Sequence, residues 1–180
     1  MLQTTRRTLL NTAYLFTIGS LSGCGAITAN KIGKVTTVTV NVAQIDAWSQ
    51  AAENMTKLIL SLPGINIPTP AVGAISLAGA TITADIANWD KQTAGQTTYT
   101  VDTTNQSSIA RTLLLDCQNV LNQTRTALGS TANQTTQSYI NALAVIVSLF
   151  EAQLGVAPTA ADQNTAPMSE TDALKILRVR

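Results

Sequence analysis

Three polar residues around a tryptophan are the first candidates for chemistry. Asp85, Asn88 and Asp90 flank Trp89 near the end of a predicted helix, a grouping that could hold a metal ion or a carbohydrate. Four-helix bundles do carry carboxylate metal sites, but those sites also use Glu-x-x-His motifs on facing helices, and this chain has no His. We therefore expect a solvated helix end with Trp89 in the core, and no metal ion or other cofactor.

Asp46 and Glu53 form the second candidate, a pair of carboxylates on one face of a predicted helix. Paired carboxylates perform acid–base chemistry when they are close and desolvated. These two lie about 10 Å apart along a helix axis, so a solvated face is expected instead. The lack of His also excludes Ser-His-Asp and Cys-His catalysis. The sequence therefore predicts no catalytic residue and a protein that is not an enzyme.

Composition narrows the class of protein further. The 180 residues include 11 Lys+Arg and 10 Asp+Glu, and the formal net charge is +1. A charge this close to zero argues against nucleic-acid binding through a basic patch. Charged residues make up only 12% of the chain, about half of the ~25% usual for globular domains. The apolar share of 45% argues against a wholly disordered chain.

The N-terminal segment has the layout of an export signal. A pair of arginines precedes an uncharged, mostly apolar stretch over 9–21, which is too short to span a bilayer comfortably. The segment ends in Leu21-Ser22-Gly23-Cys24, which resembles the lipobox of bacterial lipoproteins. This resemblance implies that residues 1–23 are removed and that Cys24 is lipidated and becomes the mature N-terminus. The alternative is an ordinary amphipathic N-terminal helix with a chance cysteine.

The same segment carries two further resemblances to export signals. The pair Arg6-Arg7 loosely resembles a twin-arginine signal, although Leu9 stands where Phe is commoner. In bacterial lipoproteins an Asp after the lipidated Cys commonly retains the protein at the inner membrane. Gly25 occupies that position here, so the resemblance implies the outer membrane, facing the periplasm.

Acylation of Cys24 would leave Cys117 as the single thiol, which we expect to be buried and inert.

Four segments show amphipathic helical periodicity. In each of them apolar residues recur at alternating spacings of three and four, and Trp48 and Trp89 fall on these apolar seams, so both are expected in the core. A membrane span in the second segment is disfavoured by the prolines that precede it and by the polar residues that follow. The predicted helices cover residues 43–62, 71–90, 105–128 and 131–154.

Two short segments rich in β-branched residues predict strands. Residues 35–42 alternate valine with polar residues, and residues 97–102 form a second short run. The first leads into helix one and the second leaves helix two at the same end of the bundle, so they should pair antiparallel. Further along, the run from Ser169 to Asp172 resembles a capping box, with Asp in place of the usual Glu or Gln, and begins a short C-terminal helix.

These elements predict a mainly α fold: a four-helix up-down bundle with a small two-stranded antiparallel ribbon at one end and a short C-terminal helix.

The function expected is that of a lipid-anchored cell-envelope protein, attached to the membrane at Cys24, that acts as a structural or partner-binding module. Its other partner would be a protein or a second copy of the chain. The alternatives are a phage or prophage structural or host-interaction protein, and a carboxylate-only enzyme. The predicted divisions are an export signal (1–23), a lipid-anchored tether (24–34), the bundle domain (35–155), a linker (156–168) and the C-terminal helix (169–180).

Overall fold

The computed structural model describes residues 29–32, 35–63, 67–105, 107–128, 132–157 and 168–179. The predicted export signal, Cys24 and most of the predicted linker lie outside the described residues. The elements, in chain order, are β1 (Ala29–Ile32), β2 (Val35–Asn41), α1 (Val42–Ser61), α2 (Thr69–Thr93), β3 (Thr98–Asp102), α3 (Ile109–Leu128), α4 (Gln134–Gln153) and α5 (Glu170–Ile176).

The four long helices pack as a bundle, which confirms the predicted fold class. Helix α1 packs against α2, α3 and α4, and α3 packs against α2 and α4. Glu53 of α1 meets Thr83 of α2, whereas Thr56, further along α1, lies beside Gly79, so the two helices run antiparallel. The core they enclose includes both tryptophans, which are fully buried as predicted.

The small sheet contains the predicted pair and one additional strand. Strands β2 and β3 run antiparallel with Thr37 opposite Asp102 and Asn41 opposite Thr98, which confirms the predicted ribbon. Strand β1 pairs antiparallel with the other edge of β2. The sequence prediction of two strands was therefore incomplete, because the Ala-Asn-Lys-Ile segment of β1 has no alternating pattern. Residues 24–34, predicted as a tether, thus include a strand that exists through its pairing with β2.

Asparagine and serine side chains fix where three helices begin. Asn41 accepts a hydrogen bond from the backbone N–H of Gln44 at 3.1 Å, and Asn133 caps α4 in the same way. Ser169 accepts from the N–H of Asp172 at 3.1 Å, as the capping pattern predicts. Each such cap stabilises a helix by about 1 kcal/mol.

Helix α2 begins slightly earlier than the sequence suggested. The second helix was predicted to start at residue 71, but it starts at Thr69 and contains Pro70 in its first turn. Proline is tolerated there because the first N–H groups of a helix have no partner within the helix. Helix α3 instead begins later, at Ile109. Before it, the N–H of Asn105 donates to the carbonyl of Asp102, and the N–H of Ser108 donates to the carbonyl of Asn105, as in turns.

Gly79 lets α1 and α2 approach closely, and this predicts a clear effect of substitution. A Cβ atom at Gly79 would lie 2.7 Å from the hydroxyl oxygen of Thr56. We expect Gly79→Ala to lower the free energy of unfolding by about 1–3 kcal/mol, as overpacking does. Gly73→Ala is the matched control, because a Cβ there meets nothing within 4 Å, and its better helix propensity should stabilise by up to about 1 kcal/mol. Urea unfolding measures both, and equal effects of the two substitutions would contradict the close approach.

Candidate functional site

A pair of carboxyl groups joins α2 to α3. Asp116 of α3 is half-buried, and its Oδ2 atom has no hydrogen-bond partner among the described residues. The pKa of Asp116 is raised to about 7, mainly because the carboxyl group is partly buried. A hydrogen bond with Asp85 and the charge of Asp85 raise it further. Two neighbouring carboxylates do not both ionise readily, so Asp116 holds its proton more tightly than an isolated carboxyl group does.

The surroundings of Trp89 match the sequence prediction only in part. Trp89 is buried, and Asn88 and Asp90 are exposed, as expected for a helix end. Asp85 is half-buried and lies beside Asp116 of α3, so it is less exposed than the rest of the expected solvated helix end. The side-chain amide of Asn88 lies 3.4 Å from Oδ1 of Asp85, at the exposed edge of the pair.

Asp46 and Glu53 point into different surroundings and do not form a pair. Asp46 accepts a hydrogen bond from the amide of Gln50 at 2.9 Å. Burial raises the pKa of Asp46. The hydrogen bond from Gln50 lowers this pKa, whereas the negative charge of Asp90 raises it further. The expected solvated face is therefore wrong for Asp46, because packing of α1 against α2 covers part of it.

Glu53 lies at the rim of the contact between α1 and α2. Its Oε1 atom accepts hydrogen bonds from Lys57 Nζ at 2.9 Å and from the hydroxyl of Thr83 at 3.0 Å. Its negative charge is thus matched by a cation and held beside α2. The arrangement links the two helices through the side chain of Glu53.

The chemistry open to this region is limited to proton exchange at Asp116. A carboxyl group whose pKa lies near 7 can donate or accept a proton at neutral pH. Within the described ranges, no group of three or more His, Cys, Asp or Glu residues is placed to hold a metal ion. Sequence reasoning missed Asp116, because its significance depends on Asp85 lying opposite it on another helix.

Cys117 is fully buried, which confirms its predicted position on the apolar face of α3. Its Sγ atom lies 4.0 Å from the carbonyl oxygen of Trp48. Burial, reinforced by the charge of Asp116, raises the pKa of this thiol. Because the thiolate is the reactive form, Cys117 is poorly suited to nucleophilic chemistry.

A buried polar contact also connects α3 to α4. Glu151 is fully buried on α4, and its Oε1 atom accepts a hydrogen bond from the amide of Gln118 at 2.6 Å. Buried carboxyl groups need such partners because desolvation without compensation is costly. This contact fixes the two helices relative to each other and lies away from the Asp85–Asp116 pair.

The outer face of α2 exposes a large apolar side chain and carries no charge. Leu77 is 69% exposed on this face, and no charged residue occurs from Thr69 to Ala84. By length and composition alone, α2 is also the one described helix that could cross a membrane, with 22% of its most apolar window buried. In the bundle, the opposite side of α2 packs against α1 and α3.

Helix α5 covers a surface of α1 and α4 that we call the α5 groove, whose polar residues are Gln44, Trp48 and Asn54. Glu170 Oε1 accepts hydrogen bonds from the indole Nε1 of Trp48 at 2.7 Å and from the amide of Gln44 at 3.2 Å. At the other end of the helix, the amide of Asn54 donates to the carbonyl oxygen of Leu177 at 3.2 Å. Apart from the apolar seam of α1, no pattern in the sequence predicts this contact.

Comparison with known proteins adds no relative: no family model matches the chain, and no curated protein or solved structure matches it either.

Proposed function

We propose that this chain is a lipid-anchored protein of the bacterial cell envelope whose bundle is a structural or partner-binding module. The anchor is supported by the resemblance of Leu21-Ser22-Gly23-Cys24 to a lipobox, behind a basic and an apolar segment. Two or more acyl chains suffice to hold a protein stably on a bilayer. Gly25 after the cysteine favours the outer membrane, facing the periplasm.

The observation that carries the binding role is the exposed outer face of α2. Leu77 is 69% exposed there among small uncharged residues, including Ser76, Ala80 and Ala84. Exposed apolar surface on a folded protein can mark a site of interaction with proteins or membranes. A neutral surface of this kind suits recognition by shape and apolar contact more than by charge.

Labelling with a clickable palmitate analogue in an exporting bacterial host tests the anchor. The full chain is expected to incorporate the label, and Cys24→Ser should abolish incorporation because the acylated thiol is gone. Cys117→Ser is the matched control and should keep the label, since Cys117 is buried in the bundle. An unlabelled wild-type chain, or equal labelling of the Cys24→Ser variant, would contradict the proposed anchor.

Site-specific photo-crosslinking in the same host tests the binding role. A photoreactive residue at Leu77, on the outer face of α2, is expected to yield discrete higher-mass adducts. The same residue at Lys57, which is also exposed but lies beside Glu53 on α1, serves as the control and should yield none. Absence of adducts at both positions would remove the support for partner binding through α2.

A carboxylate-only enzyme is the second candidate, and the raised pKa of Asp116 favours it. Carbon-13 NMR of labelled aspartate carboxyls, assigned with Asp116→Asn, measures this titration directly. An apparent pKa near 7 is required for acid–base catalysis by this pair at neutral pH. Titration of Asp116 near the ordinary value of 3.8 would leave no observation in favour of an enzyme.

A further inference from the structure

Carboxyl groups meet across both interfaces of the C-terminal end of α2. This helix packs against α1 and α3, and its end, residues 85–93, carries Asp85 and Asp90. Asp85 contacts Asp116 of α3, and the Oδ2 atom of Asp116 is buried without a hydrogen-bond partner among the described residues. An ionised carboxylate in that position is both desolvated and repelled by its neighbour.

Asp90 meets the second carboxyl group, which belongs to Asp46 of α1. Glu53 of α1 contacts Thr83 of α2, and the two helices are antiparallel. Asp46 precedes Glu53 by seven residues and Asp90 follows Thr83 by seven, so both lie about two turns from that contact in the same direction. Asp46 also has a buried carboxylate oxygen, Oδ1, without a partner in the described ranges. We call this set the α2-end aspartates: Asp46, Asp85, Asp90 and Asp116.

The cations of this region are paired elsewhere or exposed. Lys57 forms an ion pair with Glu53 at 2.9 Å, and Arg111 of α3 donates to the carbonyl oxygen of Thr103 at 2.9 Å. Lys91, in the last turn of α2, is exposed. The charges that act on the two partly buried carboxyls across the interfaces are those of the other two α2-end aspartates. Ionisation therefore places negative charges against each other on both sides of this end of α2.

Trp89 lies between the two aspartates of α2 and is fully buried. Its ring meets that of Tyr99 on β3 edge-on, with the centroids 5.4 Å apart. The indole N–H of Trp89 is buried and has no hydrogen-bond partner among the described residues, and a buried donor without a partner is costly. Opening of this end of α2 would relieve both the repulsion between the carboxylates and the cost of the unpaired indole.

The chain on both sides of residues 85–93 is held more firmly. Before them, Ile82 is fully buried and Gly79 packs closely against Thr56 of α1. After them, β3 pairs along β2, and the N–H of Val42 donates to the carbonyl oxygen of Thr97 at 3.1 Å. Opening is thus confined to the end of α2, while the rest of the bundle and the sheet persist.

We propose that residues 85–93 are a pH-sensitive segment, which packs against α1 and α3 while Asp116 and Asp46 are protonated and opens to expose Trp89 when they ionise. In the packed state the pKa of Asp116 is raised from 3.8 to about 7, whereas contact with water in the opened state returns it toward its ordinary value. Opening therefore releases a proton, and each pH unit between these two values raises the opening equilibrium by up to about tenfold. Above about pH 7 the effect levels off.

Native-state hydrogen exchange at pH 5.5 and pH 7.5 tests the proposal, with each rate divided by the intrinsic rate at that pH. The purified Cys24→Ser chain is used, so the result does not depend on the lipid anchor. For amides of residues 85–93 we expect the opening equilibrium to rise by about tenfold, less than the linkage limit because solvent screens these partly exposed groups. An opening equilibrium that is the same at both pH values would overturn the proposal.

Three variants assign the effect to its carboxyl groups. Asp116→Asn should remove most of the pH dependence of exchange over residues 85–93, and Asp46→Asn should remove part of it. Glu53→Gln is the matched control, because it removes a carboxylate from the contact between α1 and α2 outside this segment, and it should leave the pH dependence unchanged. Full pH dependence in the Asp116→Asn variant would refute the proposed device.

Exchange of the two indole N–H groups, followed by nitrogen-15 NMR, separates local opening from global unfolding. Trp48 is the internal comparison, because it is packed against Phe150 and its indole is bonded to Glu170, away from this segment. We expect the indole of Trp89 to gain about tenfold in its opening equilibrium from pH 5.5 to pH 7.5, and that of Trp48 to change much less. Equal opening equilibria at the two indoles would show global unfolding and contradict a local pH-sensitive segment.

Discussion

Phe150→Ala is expected to lower the free energy of unfolding by about 3–5 kcal/mol, the range for removing a buried aromatic ring. Phe150 is fully buried on α4, and its ring centroid lies 5.4 Å from that of Trp48 on α1. Truncation would leave a cavity at the contact between these two helices. Urea denaturation followed by circular dichroism measures the change.

The same substitution should reach α5 through Trp48. Loss of the Phe150 ring frees the Trp48 side chain that holds Glu170, so hydrogen exchange over residues 170–176 should accelerate more than exchange over α3. Leu115→Ala is the control, and as an exposed leucine it should change stability by less than about 0.5 kcal/mol. A Phe150→Ala variant that loses less than about 1 kcal/mol would contradict the central packing role of this contact.

Asp116→Asn is expected to stabilise the protein at alkaline pH. The folded pKa of Asp116 is raised to about 7 from 3.8, so the folded state binds a proton more tightly than the unfolded state. The stability contributed by this group is therefore fully present below about pH 4 and is lost as the pH rises through about 7. Asn keeps the shape and avoids the second negative charge that appears above that pH.

Thermal unfolding at several pH values between 4 and 8 measures this effect as the difference in Tm between the variant and the wild type. Solvent screens this half-exposed pair and keeps the effect modest. We expect the increase in Tm caused by Asp116→Asn to be about 2–4 °C larger at pH 8 than at pH 4. Asp85→Asn should act similarly, and the double variant should add little because both substitutions remove the same repulsion. A difference that stays constant from pH 4 to pH 8 would show that the pair does not share a proton.

Asp102→Asn provides a control with the opposite sign. Asp102 accepts hydrogen bonds from the hydroxyl and backbone N–H of Thr104 at 2.6 and 2.8 Å, and these lower the pKa of its carboxyl. Its contribution to stability is therefore present above the ordinary pKa of 3.8 and lost as the pH falls. Asp102→Asn should thus destabilise at neutral pH and have less effect in acid.

Much of the fold could be predicted because apolar spacing records which face of each element is buried. The seams containing Trp48 and Trp89 placed both residues in the core, and valine alternation located β2 and indicated its pairing with β3. Capping chemistry at Ser169 located the start of α5. Each of these signals is local, so a single sequence contains it in full.

The contacts between helices could not be predicted in the same way. Asp85 meets Asp116 because of the rotation and axial offset of α2 against α3, and the period of one helix determines neither quantity. The bond between Trp48 and Glu170 joins residues 122 positions apart, and no spacing in either segment announces it. The strand β1 likewise depends on its partner, since its own four residues carry no periodic pattern.

Mass spectrometry of the N-terminus provides a direct test of the proposed lipid anchor at Cys24. The full chain is expressed in an exporting bacterial host, extracted from the membrane fraction and analysed as N-terminal peptides. We expect a chain that begins at Cys24, carries acyl groups on that residue and lacks residues 1–23. A chain that retains Met1, or one with an unmodified Cys24, would contradict it.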